Sequence, residues 1–343
     1  MKTKRHFAIC LLLALCALTW LPADVHGATR YHKSDDDRLR EADKLIASNP
    51  RSPEPYVQRG LIYESMRRFT DALRDYSLAI DKDNRNAPAY VRRAALAARM
   101  RLFKDALADY DKATEVDPKS QEAYLGRAGV YEKLEKYHSA VADYTQALSL
   151  PSPSAEAHMG RGKYRQKIAD YAGAERDFLE VTKLDAENPH AFEALGRSQL
   201  SLKKLDAAMK SFSKALELYP YNPEAFEGRA EVHLAQGKTK EAIDDAGRTL
   251  LIAPYLVPAF VTRGLAYENE KDYPRMEIDF SEAIRLDPGD VANYLHRARA
   301  YIGLDKLDKA RKDALTAVKL RPKNQEYRFF LMKIDEMIKA ASR

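Results

Sequence analysis

Cysteine and tryptophan are all but missing: Cys10, Cys16 and Trp20 are the only three in 343 residues, and all lie within the first twenty. Beyond that point the chain has no thiol nucleophile, no disulfide framework and no soft metal ligand, so its stability has to come from packing. Glycine and proline are modest too, at 14 and 16, and no single-residue tract occurs. A collagen-like or low-complexity chain is thereby excluded. There is no basic block either: 57 Lys and Arg are interspersed with 51 Asp and Glu, without the clustered footprint that nucleic acid needs. What is present is 45% apolar and 31% charged, enough for a core and too polar for a membrane bundle.

The amino terminus reads as a secretory signal. Lys2, Lys4 and Arg5 lead into the uncharged run Phe7 to Leu21, which Pro22 ends. The run is short for a spanning helix, which needs about 20 apolar residues, and an uncleaved signal anchor is the alternative. Val25 and Gly27 stand at −3 and −1 of a cleavage site, giving a signal peptide over 1–27 and a mature start at Ala28. Ile9 and Leu15 precede the two cysteines where a lipidation site wants a small residue. The expectation is an exported protein, periplasmic or secreted, that meets a membrane only if the signal stays attached. Loss of 1–27 removes Lys2, Lys4, Arg5 and Asp24 and lowers the formal charge from +6 to +4.

Pro220, Pro254, Pro288 and Pro322 are spaced by 34 residues, and Pro118 and Pro50 fall on multiples of the same period. In that frame eight units, 53–86, 87–120, 121–154, 155–188, 189–222, 223–256, 257–290 and 291–324, follow one another without insertion. Each holds two amphipathic helical stretches. Position 8 is always small (Gly60, Ala94, Ala128, Gly162, Gly196, Ala230, Gly264, Ala298), and position 20 is Ala in every unit but the seventh, where Met276 stands. Two helices crossing closely require this, and rings at position 4 (Tyr56, Tyr90, Phe192) and position 24 (Tyr76, Phe178, Phe212) fill the space around the contact.

These residues resemble the tetratricopeptide repeat, whose 34-residue units carry an aromatic, a small residue, Tyr, Ala, Phe and Pro in this order. The first aromatic is never Trp here, and Asn84, Ser152 and Ala186 replace the terminal Pro. The resemblance implies an all-α fold: a right-handed α-solenoid of eight helix-turn-helix units. A half unit within the segment 28–52, its helix over 35–48, precedes them, and a capping helix within 325–343 follows.

Position 7 departs from the family's common Leu in seven units, as Arg59, Arg93, Arg127, Arg161, Arg229, Arg263 and Arg297. Position 23 is Asp in the same units: Asp75, Asp109, Asp143, Asp177, Asp245, Asp279 and Asp313. Unit five alone has Leu195 and Ser211. Coincident exceptions predict an Arg to Asp pair inside each hairpin, partly buried and bidentate.

The resemblance also implies that positions 2, 5, 6, 9, 12 and 13 line a concave groove open to a partner. Position 5 carries an apolar row that includes Val57, Val91, Met159 and Val261. It is either a peptide-contacting stripe or packing between units, and Gly126, Gly129, Gly160 and Gly228 are expected to open room beside it. Lys133, Lys163, Lys167 and Arg197 gather in units three to five, with Glu193, Glu224, Glu227 and Glu231 following, as two opposite patches side by side. Tyr at position 11 is lost in the same stretch, to Arg165, Gln199 and His233, and such local failures of a scaffold pattern mark functional regions. The family's carboxylate clamp for chaperone tails is excluded, because position 5 holds no Lys and position 6 no Asn. His32, His138, His158, His190, His233 and His296 have no metal-ligand spacing, and no phosphate loop or nucleophile elbow occurs. The function expected is therefore a scaffold that binds a protein or peptide and organises a cell-envelope complex, without cofactor, metal, nucleic acid or small-molecule substrate. A self-associating solenoid, or an accessory subunit of an envelope enzyme, is the alternative.

Overall fold

A computed structural model describes residues 34–151 and 154–342. The expected signal segment and its cleavage site, with Ser152 and Pro153, lie outside the described residues. Among the described residues there are eighteen helices and no strand. α1 (Asp35–Ser48) comes first. Eight hairpins follow: α2 (Glu54–Ser65) with α3 (Phe69–Lys82), α4 (Ala87–Arg99) with α5 (Phe103–Val116), α6 (Gln121–Lys133) with α7 (Tyr137–Leu148), and α8 (Ala155–Lys167) with α9 (Tyr171–Leu184). The series continues with α10 (Pro189–Ser201) and α11 (Leu205–Leu218), α12 (Pro223–Ala235) and α13 (Thr239–Ile252), α14 (Val257–Glu270) and α15 (Tyr273–Leu286), then α16 (Val291–Gly303) and α17 (Leu307–Leu320). α18 (Gln325–Ala341) ends it. Each helix packs on the next, and the first helices of neighbouring units touch as well, α10 on α12 and α12 on α14.

The boundaries have local causes. The last residue of a unit caps the next first helix: Asn86, Ser120, Ser154, Asn188, Asn222, Asp290 and Asn324 accept a backbone N–H from the first turn through their side chains. Inside each unit the first helix stops at position 15, which is left-handed in all eight: Arg67, Arg101, Glu135, Ala169, Lys203, Lys271 and Asp305 have φ between 55° and 63°, and Gly237 has 73°. The following N–H then reaches back five residues, as in Arg68 N to Tyr63 O at 2.8 Å and Asp272 N to Tyr267 O at 2.9 Å. Only unit six uses glycine there, so the turn is imposed by the hairpin rather than by its residue.

The core is a row of interlocked rings. Tyr76, Phe178, Phe212 and Phe280 at position 24 are fully buried. Each ring lies against the small residue at position 8 of its own unit, and Phe212 is clamped between that residue and position 6 of the next unit. A methyl group at Gly196 would stand 2.9 Å from the Phe212 ring, and one at Gly228 would stand 2.3 Å from it. Gly126 and Gly160 meet Tyr110 and Tyr144 in the same way. This corrects the expectation that Gly126, Gly160 and Gly228 open space in the groove: the rings of the preceding units already fill it. Where position 24 shrinks to Ala246, position 6 of the next unit grows to Thr262, keeping the density of the interior. Gly129 differs, with nothing within 4 Å of its added methyl.

Thermal melts of two alanine variants test this. Gly129→Ala is expected to stabilise by about 0.8 kcal/mol, the helix-propensity gain alone. Gly228→Ala is expected to lose about 1.5 kcal/mol despite the same gain, because the Phe212 ring has to move. Equal stabilisation by both would show that the ring yields freely.

Candidate functional site

The surface of the first helices is organised by two sets of side chains, a ladder of arginines and a groove beside it. In the ladder Arg93 donates from Nε and Nη2 to the two oxygens of Asp109 at 2.8 and 2.7 Å. The same two-pronged contact joins Arg59 to Asp75, Arg127 to Asp143, Arg229 to Asp245, Arg263 to Asp279 and Arg297 to Asp313, with all distances between 2.6 and 2.9 Å. Arg161 reaches Asp177 at 2.6 and 3.0 Å, where Arg165 at position 11 adds a third donor at 2.8 Å. The hydrogen bond to Asp outweighs burial and raises the guanidinium pKa at Arg59, Arg93, Arg127, Arg263 and Arg297. Unit five replaces the ion pair by a neutral one, the Ser211 hydroxyl donating to Gln199 Oε1 at 2.7 Å.

Two features of the ladder escaped the sequence pattern. The losses of Tyr at position 11 are contacts to position 23: Arg165 to Asp177, Gln199 to Ser211, and His233 3.7 Å from Asp245. Burial holds His233 below the usual imidazole range. The remaining Nη1 of the arginine also reaches back to position 25 of the preceding unit, from Arg59 to Asp43 (2.7 Å), Arg93 to Ser77 (2.9 Å), Arg127 to Asp111 (2.6 Å), Arg161 to Thr145 (3.4 Å) and Arg297 to Ser281 (3.2 Å). The ladder therefore ties hairpins internally and to one another.

The expected groove residues do not form two patches side by side. Lys133, Lys163 and Lys167 are exposed, and Lys163 donates to Glu132 at 3.1 Å. Arg197 stands apart from them, sunk among the acids: its Nη1 lies 2.9 Å from Glu227 and 3.3 Å from Glu231, and its Nε lies 3.8 Å from Glu193. From Glu224 it takes only the backbone carbonyl, at 3.3 Å. Glu227 is 1% exposed and accepts a further bond from Thr262 at 3.5 Å. Counting Arg197 with the lysines overlooked that its neighbour at position 9 of the next unit is an acid. Met159 packs against Phe178 and Leu195, and Val57 and Val91 are buried, so this part of the position 5 row serves the core.

Three carboxylates around one guanidinium leave a surplus of negative charge. Burial, then the hydrogen bond and charge of Glu227, push Glu231 up to about 8 against the pull of Arg197. Burial also raises Glu193. Next to this cluster, on α10, α12 and α14, lies a groove of 730 Å³. Its apolar walls include Leu200, Leu234, Val261 and Leu265. Its acidic margins are Glu231, Asp287 and Asp290. Leu200 and Leu234 hold position 12 and Val261 position 5, positions that the family resemblance assigned to the concave face. Among the described residues no group of three or more His, Cys, Asp or Glu side chains is placed to hold a metal ion.

Residues 91–155 and 159–223 match one family model described as tetratricopeptide repeat, and 257–290 and 291–324 match a second of the same description. No curated protein matches. Among solved structures, YrrB, described as a TPR protein with an unusual peptide-binding site, is 23% identical with a TM-score of 0.52, covering 55% of this chain and 97% of its own. The Cut9–Hcn1 hetero-tetramer of the APC/C gives 16% identity and a TM-score of 0.58 over 88% of this chain and 60% of that one. A tetratricopeptide repeat protein from Parabacteroides merdae gives 19% and 0.52 over 72% and 98%. At these identities the likeness is one of fold. The two family models, which together match more than half of the chain, make it a tetratricopeptide-repeat protein, and the helical hairpins in their 34-residue register fold it as an α-solenoid of those units.

Proposed function

We propose that the chain is a non-enzymatic scaffold that holds a protein or peptide partner in the groove on α10, α12 and α14, and that it does so in the cell envelope. The observation that carries this is the groove itself: 730 Å³ of largely apolar space on the first-helix face. Apolar walls with a few charges at the margin are what a side chain of a partner needs to be both held and oriented. Peptide binding by YrrB, a protein of like fold, is consistent with this use. Export rests on the amino-terminal sequence alone, Lys2 to Gly27.

Capture of partners from an envelope fraction tests both parts. Wild type and a Leu234→Glu, Val261→Glu double variant, chosen because both side chains are only partly buried, are used as bait. A defined protein retained at least about tenfold more by wild type than by the equally folded variant is the expected result. Equal retention, or recovery of the chain alone, removes the groove from the function and favours a self-associating solenoid. The intact mass of the native chain from the same fraction is expected to start at Ala28, and a start at Met1 would make it a tethered scaffold.

A further inference from the structure

We propose that the segment entering this groove is amphipathic and basic: a lysine or arginine of the partner sits at Asp287 and Asp290, and leucine-like side chains lie on Leu234 and Val261. The inference rests on the groove being the partner site and adds the chemistry of the occupant. Among the described residues no lysine or arginine lines the groove. Arg197, on the adjoining α10, is already shared among Glu193, Glu227 and Glu231 and pairs with neither Asp287 nor Asp290. Asp287 and Asp290 are exposed, and among the described residues their side chains accept only backbone N–H groups, from Gly289 and Ala292 at 3.0 Å each, and form no ion pair. A groove with acidic margins and no cation of its own attracts a positive side chain and repels a negative one, which sets the choice of partner more than its affinity. The apolar walls in turn reject a purely polar polycation, which would leave Leu200, Leu234, Val261 and Leu265 wet.

Selection from a phage-displayed library of random peptides on the full chain tests this without a known partner. The enriched peptides are expected to carry Lys or Arg flanked by Leu, Ile, Met or Phe. Asp287→Asn with Asp290→Asn keeps both backbone contacts available, since Asn caps as well as Asp. That variant is expected to weaken the selected peptides by about tenfold, and norleucine in place of their basic residue by a similar factor. Enrichment of neutral or acidic peptides that Leu234→Glu displaces overturns the inference while leaving the groove as the partner site. Peptides that Leu234→Glu does not displace, or no enrichment at all, remove the groove reading and the inference with it.

Discussion

Replacing Arg93 by leucine is expected to destabilise the chain by about 3 kcal/mol, whereas Arg93→Leu combined with Asp109→Ser is expected to lose only about 1 kcal/mol. Asp109 is 8% exposed, and Arg93 supplies the donors for both its oxygens. Without the guanidinium, a carboxylate is left in the helix interface with no partner, which costs more than the pair contributes. Removing both partners leaves no orphan, as unit five shows with Leu195 and Ser211, where Gln199 completes the contact. Urea denaturation of the three proteins decides the matter. The order should hold although a solenoid unfolds as coupled units, because all three share the same neighbours. Equal losses for the single and double variants would mean that the pair is incidental to stability.

Glu231→Gln is expected to stabilise the chain in alkali and to change little in acid. In the folded chain Glu231 keeps its proton up to about 8, because burial opposes its charge and Glu227 faces it, against the pull of Arg197. The unfolded chain releases the same proton near the ordinary carboxylate value of about 4.3. A folded pKa raised in this way gives stability that is complete below the unfolded value and is lost as pH climbs through the folded one. Glutamine keeps the neutral form at every pH. The difference between variant and wild type should therefore be near zero at pH 4, grow through neutrality and level off near pH 9 at about 3 kcal/mol, below the roughly 5 kcal/mol of the full shift because the Glu231 side chain is 38% exposed and water screens it. Denaturation midpoints of the two proteins across that range read it directly, and a difference independent of pH would place Glu231 as an ordinary exposed carboxylate.

The 34-residue period, the small residues at positions 8 and 20 and the rings at 24 made the helical hairpins legible, because packing geometry repeats where sequence does. Arg at 7 and Asp at 23 were legible as a pair for a different reason, since their exceptions fall in the same unit. Contacts that cross from one unit to the next were not. Glycine at position 6 looks like open groove until the ring of the preceding unit is seen against it, and Arg197 looks like a neighbour of Lys163 until Glu227 and Glu231 are placed around it. The groove walls were missed at Leu200 and Leu234, because an apolar residue at position 12 is equally suited to burial. Asp287 and Asp290 belong to a turn, where the helical period carries no signal.

The backward reach of the arginines is uneven along the array. It joins units one to four to their predecessors and unit eight to unit seven, but Leu195 makes none, Arg229 keeps to Asp245, and Arg263 meets Gly247, which has no side chain to accept. The joints into units five, six and seven lack that brace and are tied by other side chains: Gln166 donates to Ser198 at 2.8 Å, Arg197 reaches Glu227 and Glu231, and Thr262 donates to Glu227. Arg197 and Glu231 thus fix the spacing of units five and six as well as the charge beside the groove, so a substitution at either one shifts the pitch of the solenoid and the shape of its groove together.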